Sequence, residues 1–442
     1  MERVGVVGAG TMGAGIAQLA CVGGFDTWMH DPAPDALSAG QARVHEGLAK
    51  GAARGMWSGQ DAAAAGERLN LARRLEDLRQ CRLVIEAAPE DLALKRDLFA
   101  RLASICDPDA ILATNTSSLS VTAIAGGTDC PGRVCGMHFF NPPPLMRLVE
   151  IVAGDDTTPE TVEAAMEVAR AMRREPIRAA DGIGFVANRL ARPFTLEALR
   201  LLGERVAPID QIDRIVRIGG GFRMGPFELM DLVGVDVNFE VARSFWEQSF
   251  HEPRWQPHPI QARTAAAGRR GRKSGRGYYD YRQGRHRPAD PDPPPPDPGW
   301  RRDRAFEESV HHAAIPTLET ARMVEVAHDD SMSEGDAASV ERYFRDAGKQ
   351  VEWVRESPGL VLGRILAQIV NEAHFAVSQG VASPGDCDTA MRLGFNWPQG
   401  PFEWGRAIGL GRVVRILDAL HRTLGEERYR VSPLLRRRAV SA

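Results

Sequence analysis

A chain of 442 residues with 55 basic and 58 acidic side chains, net charge −3, has room for two or three domains with well-buried cores. Its charge is too balanced for a general binder of nucleic acid or another polyanion. Six cysteines (Cys21, Cys81, Cys106, Cys130, Cys135 and Cys387) form no C-x-x-C pair and no metal-ligand spacing with histidine; they read as reduced thiols, and no metal is expected. Only four lysines stand beside fifty-one arginines, so Lys50, Lys95, Lys273 and Lys349 each invite individual attention.

The first element is a short apolar strand, Val4, Val6 and Val7, running into Gly8, Gly10 and Gly13 and then an Ala-rich helix. This G-x-G-x-x-G turn between strand and helix is a dinucleotide fingerprint. Gly8 allows the tight turn, Gly10 lets a pyrophosphate approach the backbone, and Gly13 lets helix and strand pack closely. A second strand ends at Asp31, eighteen residues after Gly13, where a carboxylate can accept hydrogen bonds from a ribose 2′-hydroxyl. Pro32, Ala33 and Pro34 follow it rather than Arg or Lys, which favours NAD over NADP. Residues 4–25 carry no charge, yet seven glycines in those twenty-two residues make poor membrane helix. No signal-peptide pattern accompanies them, so no membrane partner and a cytoplasmic location are expected.

Further strands are predicted at 83–87, 111–114, 135–140 and 148–152. A helix near 92–104 has Leu94, Leu98 and Leu102 on one face. The alternation predicts an α/β, doubly wound, largely parallel sheet of the Rossmann type over residues 1–181, with ligands beyond the carboxyl ends of the strands. Pro89-Glu90, Asn115-Thr116-Ser117-Ser118 and His138 to Asn141 all follow strands and suit one shared site. Beyond Asp181 the periodicity becomes helical. Residues 184–234 align without a gap to 359–409 at an offset of 175, with 15 identities in 51 positions, including Gly-Pro-Phe-Glu at 225–228 and 400–403. Two all-α domains in tandem follow from this, 182–281 and 356–442. Between them lies a linker region, 282–355, proline-rich at 288–298 and without a motif over 300–355.

Taken together, GAGTMGAGIAQ (8–18), EAAPEDLALKRDLF (86–99), TNTSSL (114–119), HFFNP (138–142), GFVANR (184–189), MGPFELMDLVG (224–234) and RKSGRGYYDY (272–281) resemble the L-3-hydroxyacyl-CoA dehydrogenase family. The second helical copy resembles that of its longer bacterial members, which act on 3-hydroxybutyryl-CoA or 3-hydroxyadipyl-CoA. The resemblance implies oxidation of a short-chain L-3-hydroxyacyl-CoA with NAD, as in fatty acid β-oxidation. His138 would be the base, oriented by Glu150, with Ser117 and Asn188 binding the substrate oxygen. Residue chemistry agrees, because imidazole titrates near neutrality and a carboxylate can orient it. By the same matching Glu90, Lys95, Asn115 and Asn141 join Gly8, Gly10, Thr11, Met12, Gly13 and Asp31 around the cofactor. Blander readings stand beside these: a structural histidine at a strand end, Ser117 or Ser118 as an N-cap for a helix near Leu119, and Lys95 on a solvated helix face.

The sequence departs from the family in two places. Asp181-Gly182-Ile183-Gly184-Phe185 lacks a proline that the family carries before the catalytic Asn, which should loosen that turn. The positions expected to contact CoA fall at Gly47, which has no hydroxyl, and Arg54, with Lys50 as a second cation. The alternatives are a dehydrogenase of a free hydroxy acid or sugar acid on the same scaffold, and a non-catalytic NAD-binding protein. In the second helical copy Asn188 becomes Gly363, while Arg189 and Glu197 recur as Arg364 and Glu372. The second copy is therefore expected to cover the first as an intrachain pseudo-dimer, a further homodimer remaining compatible.

Overall fold

The computed structural model describes residues 2–284, 286–328 and 332–441. The chain forms two compact units, Met1–Ala187 with Gly380–Phe395, and Asn188–Gln379 with Asn396–Ala442.

The first unit is built on β1 (Arg3–Val7), α1 (Thr11–Val22), β2 (Asp26–His30), α2 (Pro34–Ala53), α3 (Gly59–Glu67), β3 (Leu69–Ala72), β4 (Leu83–Glu86), α4 (Leu92–Ile105), β5 (Ile111–Thr114), α5 (Val121–Ala125), β6 (Val134–Phe139), β7 (Leu148–Ala153), α6 (Pro159–Ala171) and β8 (Glu175–Ala180). Its eight strands lie in the order β3-β2-β1-β4-β5-β6-β7-β8. Every neighbouring pair is parallel except β6 and β7. The central strands β4, β5 and β6 are buried at every residue, as strands covered on both faces must be. The order reverses between β1 and β4, and the Gly-rich turn leaves β1 at that switch point, where such sheets bind ligands.

In the second unit α7 (Ala187–Gly203, its first residue belonging to the first unit), α8 (Ile209–Gly220), α9 (Pro226–Val233), α10 (Val235–Gln248) and α11 (Pro259–Ala266) make the first helical copy. There follow α12 (Arg304–Glu308), β9 (His312–Ala314), β10 (Met323–His328), α13 (Glu334–Asp346), β11 (Gln350–Arg355), α14 (Leu362–Ser378), α15 (Pro384–Gly394, which belongs to the first unit), α16 (Pro401–Ile408), α17 (Leu410–Leu424) and α18 (Pro433–Val440). Helix α14 is buried from Leu362 to Ala376 without interruption, so it lies inside the unit rather than on its surface. The repeated Gly-Pro-Phe-Glu has a local cause at both sites. Proline opens α9 and α16, and Glu228 and Glu403 reach back to the N–H of Gly225 and Gly400 at 3.0 and 2.7 Å, a capping contact. The RKSGRGYYDY stretch is tied to α9 likewise, since Asp231 accepts hydrogen bonds from the N–H groups of Tyr278 and Tyr279 and from the Tyr281 hydroxyl.

One expectation is overturned. Residues 300–355 are no featureless end of a linker: β9, β10 and β11 form a sheet in the order β11-β10-β9 with α13 as the crossover. Their bounds repeat the first unit at the same offset of 175. Met323–His328 matches Leu148–Ala153, Glu334–Asp346 matches Pro159–Ala171, and Gln350–Arg355 matches Glu175–Ala180. Backbone residues with positive φ recur too, as Arg173 and Gly348, Gly184 and Gly359, Phe185 and Leu360, Arg205 and Gly380, Gly221 and Asn396, and Gly234 and Gly409. The repeat therefore reaches back through the last strands of the sheet, and a boundary at 356 falls inside it. The proline-rich run is extended as expected, and its Asp290 is salt-bridged to Arg217 of α8 at 2.6 Å.

Candidate active site

The Gly-rich turn does what its spacing requires. Gly8 has φ +98°, and a Cβ there would stand 2.6 Å from the Ala87 carbonyl oxygen. A Cβ on Gly13 would stand 1.8 Å from the Gly8 oxygen, whereas one on Gly10 would meet nothing within 4 Å. That open side faces a cavity of about 660 Å³ lined by Gly8, Gly10, Thr11, Met12 and Asp31. The Asp31 carboxylate accepts the N–H groups of Ala9 (2.9 Å) and Ala33 (3.0 Å), which fixes it beside the turn. A dinucleotide fits this cradle: bare backbone where a pyrophosphate needs close approach, and a held acid for a ribose. The far wall is α4, with Leu94, Asp97, Leu98 and Arg101. Here the sequence reading is corrected, because Leu94 is exposed and opens into the cavity, while Phe99 and Leu102 supply the buried face of α4.

Lys95 is buried, not solvated. Its ammonium donates to Glu86 Oε1 at 2.5 Å and to the Ala88 carbonyl at 3.3 Å, and stands 3.5 Å from Glu90 Oε2. Glu86 ends β4 and also accepts the Thr114 hydroxyl (2.7 Å) and the Ala88 N–H (2.6 Å). An isolated carboxylate there would be costly, and the buried ammonium compensates it. Sequence reasoning missed Glu86. The signal was a carboxylate closing an otherwise apolar strand.

Glu90 gathers the loop after β5. Its Oε1 accepts the Thr116 hydroxyl (2.6 Å), the N–H groups of Ser117 (3.0 Å) and Ser118 (3.1 Å), and the Ser118 hydroxyl (3.0 Å). Burial opposes its ionisation, but Thr116, Lys95 and the serine donors outweigh that and hold its carboxyl below the ordinary value. The expected serine cap is displaced: Ser120, not Ser117 or Ser118, caps α5 by accepting the Ala123 N–H at 3.1 Å. Asn115 accepts the Phe139 N–H at 2.8 Å and so ties this loop to β6. Asn141 is exposed just after β6.

His138 and Glu150 come together by strand register. In the antiparallel pair β6 and β7, His138 stands directly opposite Glu150, so their side chains share a face. His138 Nδ1 lies 2.6 Å from Glu150 Oε2, both residues being buried. The imidazole packs against Phe140 at 4.5 Å and Phe185 at 5.8 Å between ring centroids. The other carboxylate oxygen, Oε1, accepts the N–H groups of Val186 (3.0 Å) and Ala187 (2.8 Å), where α7 begins. A Glu150 carboxylate favours a proton on Nδ1 and leaves Nε2 as the basic nitrogen of the ring. The turn expected to be loose is held by Asp181, which accepts the Ser120 hydroxyl (2.6 Å) and the Thr122 N–H (2.9 Å). Asn188 belongs to the first turn of α7, and its carbonyl accepts Arg192 Nε at 3.2 Å.

On α2, Lys50 is exposed and paired with Glu46 at 2.6 Å, and Arg54 is exposed just past the helix. Gly47 has a packing reason, since a Cβ there would stand 2.2 Å from Gln18 Oε1. Among the described residues no group of three His, Cys, Asp or Glu could hold a metal ion, and no helix is long and apolar enough to cross a membrane.

A family model for the NAD binding domain of 3-hydroxyacyl-CoA dehydrogenase matches residues 3–182, and one for its C-terminal domain matches 184–281 and again 359–441. The chain belongs to the 3-hydroxyacyl-CoA dehydrogenase family. It is an NAD-dependent dehydrogenase, with a Rossmann-type unit followed by helical domains. It is 39% identical over 464 aligned residues to a 3-hydroxyadipyl-CoA dehydrogenase of Escherichia coli, covering 100% of this chain and 98% of the relative. A crystal structure of 3-hydroxybutyryl-CoA dehydrogenase from Escherichia coli matches with a TM-score of 0.93 and 37% identity, covering 100% and 98%. An (S)-3-hydroxybutyryl-CoA dehydrogenase from Ralstonia eutropha matches 64% of this chain and 100% of its own, with a TM-score of 0.62 and 36% identity.

Proposed function

We propose that this dehydrogenase oxidises short-chain L-3-hydroxyacyl-CoA esters to 3-ketoacyl-CoA, with His138 as the general base. The observation that carries the reading is the buried His138–Glu150 pair, 2.6 Å apart on the strands that follow the cofactor half of the sheet. NAD, when bound, supplies the hydride acceptor. His138 Nε2 takes the hydroxyl proton, and Glu150 keeps Nδ1 protonated and stabilises the imidazolium that forms. Ser117, on the loop that Glu90 gathers, and Asn188 donate hydrogen bonds to the 3-oxygen. Asp31 and the Gly-rich turn hold the adenosine half, while Glu90, Lys95, Asn115 and Asn141 serve the nicotinamide half. Lys50 and Arg54 are the cations for the CoA phosphates. The names of the relatives favour four-carbon and dicarboxylic acyl groups, and the thiols of Cys21, Cys81, Cys106, Cys130 and Cys135, none in a disulfide, accord with a cytoplasmic setting. The assay is NADH oxidation with acetoacetyl-CoA, with 3-oxoadipyl-CoA and with the free keto acids. Turnover with the thioesters alone supports the reading; turnover with the free acids alone overturns it.

We also propose that the two helical copies form a pseudo-dimer within one chain. Arg189 pairs with Glu372 at 2.7 Å, and the equivalent residues of the opposite copies, Arg364 and Glu197, pair as well. Residue i meeting j and j meeting i is the signature of a two-fold interface.

A further inference from the structure

The repeat makes a second pair of reciprocal contacts. The N–H of Ala180, at the end of β8, donates to the Val381 carbonyl at 2.8 Å, ahead of α15. At the equivalent positions the N–H of Arg355, at the end of β11, donates to the Val206 carbonyl at 2.9 Å, ahead of α8. Each copy thus lends one helix to the half-sheet of the other. Helix α15 lies on β7 and β8, with Cys387, Ala390, Met391 and Gly394 buried. Helix α8 relates likewise to β10 and β11, where Gln211 and Arg214 donate to Glu352 at 2.8 and 2.6 Å.

One residue of the borrowed helix stands against side chains that flank the His138–Glu150 pair. A Cβ on Gly394 would lie 2.8 Å from Leu148 Cδ2 and 3.7 Å from both Phe140 Cε1 and Ala187 Cβ. Leu148 is two residues before Glu150 on β7, and Phe140 carries the ring packed on His138. Gly219, the equivalent on α8, would meet Leu362 Cδ2 at 3.2 Å and Met323 at 3.9 Å. The same close approach recurs there, beside a half-sheet in which Ala313 stands where the first has His138. Neither glycine has a positive φ, so close packing, not backbone conformation, disfavours a side chain at either site.

We propose that α15 of the second copy is a working part of the catalytic unit, and that Gly394 positions Phe140, and through it the His138 imidazole. This rests on the reading of His138 as the base. The second copy then completes the site of the first, in addition to covering its helical face. The size of residue 394 sets how far Leu148 and Phe140 stand from the imidazole, and small displacements of a reacting group are costly in rate.

The test compares Gly394→Leu with Gly219→Leu in the full chain, both judged folded by calorimetry, with Gly394→Ala as the gentler variant. Gly394→Leu is expected to lower kcat with acetoacetyl-CoA and NADH by about tenfold or more, with NADH affinity by fluorescence unchanged. The His138 imidazole signal in NMR moves in both Gly394 variants, and adding Leu148→Ala to Gly394→Leu restores it. Gly219→Leu changes neither the signal nor kcat. Equal losses at the two glycines, or an unmoved His138 signal in the folded Gly394 variants, would overturn the proposal. A parent chain inactive on every thioester would overturn the function instead, while the NMR comparison still decides the position of His138.

Discussion

The half-sheets β6–β8 and β9–β11 follow one plan at an offset of 175, one with a histidine opposite its glutamate and one without. In the first, His138 faces Glu150 across the antiparallel pair; in the second, Ala313 faces Glu325. Both glutamates are fully buried. Glu150 accepts the N–H groups of Val186 and Ala187 as α7 begins. Glu325 accepts those of Val361 (2.7 Å) and Leu362 (3.2 Å) as α14 begins. A carboxyl group that keeps its backbone bonds where no histidine faces it is serving the fold, because the orphan N–H groups of a buried helix start need an acceptor. Glu150 therefore makes two kinds of contact, one for each oxygen, and only the one toward His138 has no counterpart at Glu325.

The comparison breaks first at His138. His138→Gln should lower turnover by roughly 10²–10⁴, the usual worth of a positioned acid/base, and leave NADH affinity nearly unchanged. Stopped-flow reduction of acetoacetyl-CoA with a parallel fluorescence titration measures both. Near-normal turnover in this variant would mean that the first half-sheet is as inert as the second.

The next effect is on assembly. Ending the chain near residue 285 removes α14 from α7 and α15 from β7 and β8. It opens to water the face that carries Arg189 and Glu197, which lose their partners Glu372 and Arg364. An exposed face of that kind favours association, so the shortened protein should not persist as a stable monomer. Two shortened chains can restore both exchanges, each lending its own α8, so light scattering should find dimers or aggregates. A soluble, equally stable monomer would show that the second copy supports nothing essential in the first.

Much of this was legible in the sequence wherever a residue type has few substitutes. Gly8 and Gly13 are fixed by contacts that no side chain survives, Gly184 and Gly359 by positive φ, and Gly-Pro-Phe-Glu by its cap. The earlier half of the repeat was hidden because any alternation of apolar residues builds such strands. Between 148–153 and 323–328 only Val149 and Glu150 recur, as Val324 and Glu325, too few to stand out. The burial of Lys95, which rules out only the blander reading of a solvated helix face, was hidden for a different reason. Its burial depends on Glu86, which ends a neighbouring strand, and helical periodicity carries no sign of that partner. Leu94 misled in the opposite sense, an apolar residue that faces a ligand cavity instead of a core.

The smallest effect separates the two glutamates by pH. Burial raises the Glu325 carboxyl to about 8, against the pull of the Val361 and Leu362 N–H groups; Glu352 adds to the rise, and Arg412 opposes it. In the unfolded chain a glutamate titrates near about 4.3. Between those values the folded protein holds a proton that the unfolded chain has released, so stability falls as pH rises through that window. Asp213, raised to about 7 by burial, slopes the same way, so the parent curve does not flatten on one substitution. Glutamine at 325 keeps an acceptor for α14 and removes the titration. Glu325→Gln should therefore lose less Tm than the parent between about pH 5.5 and 8, by about 1–3 °C, with kcat at neutral pH unaltered. Glu150→Gln, by contrast, should lower kcat, because there the second oxygen serves His138. Parallel Tm curves for parent and Glu325→Gln would show that Glu325 stays ionised in the fold. A fall in kcat matching that of Glu150→Gln would show that the second half-sheet kept a part in the chemistry.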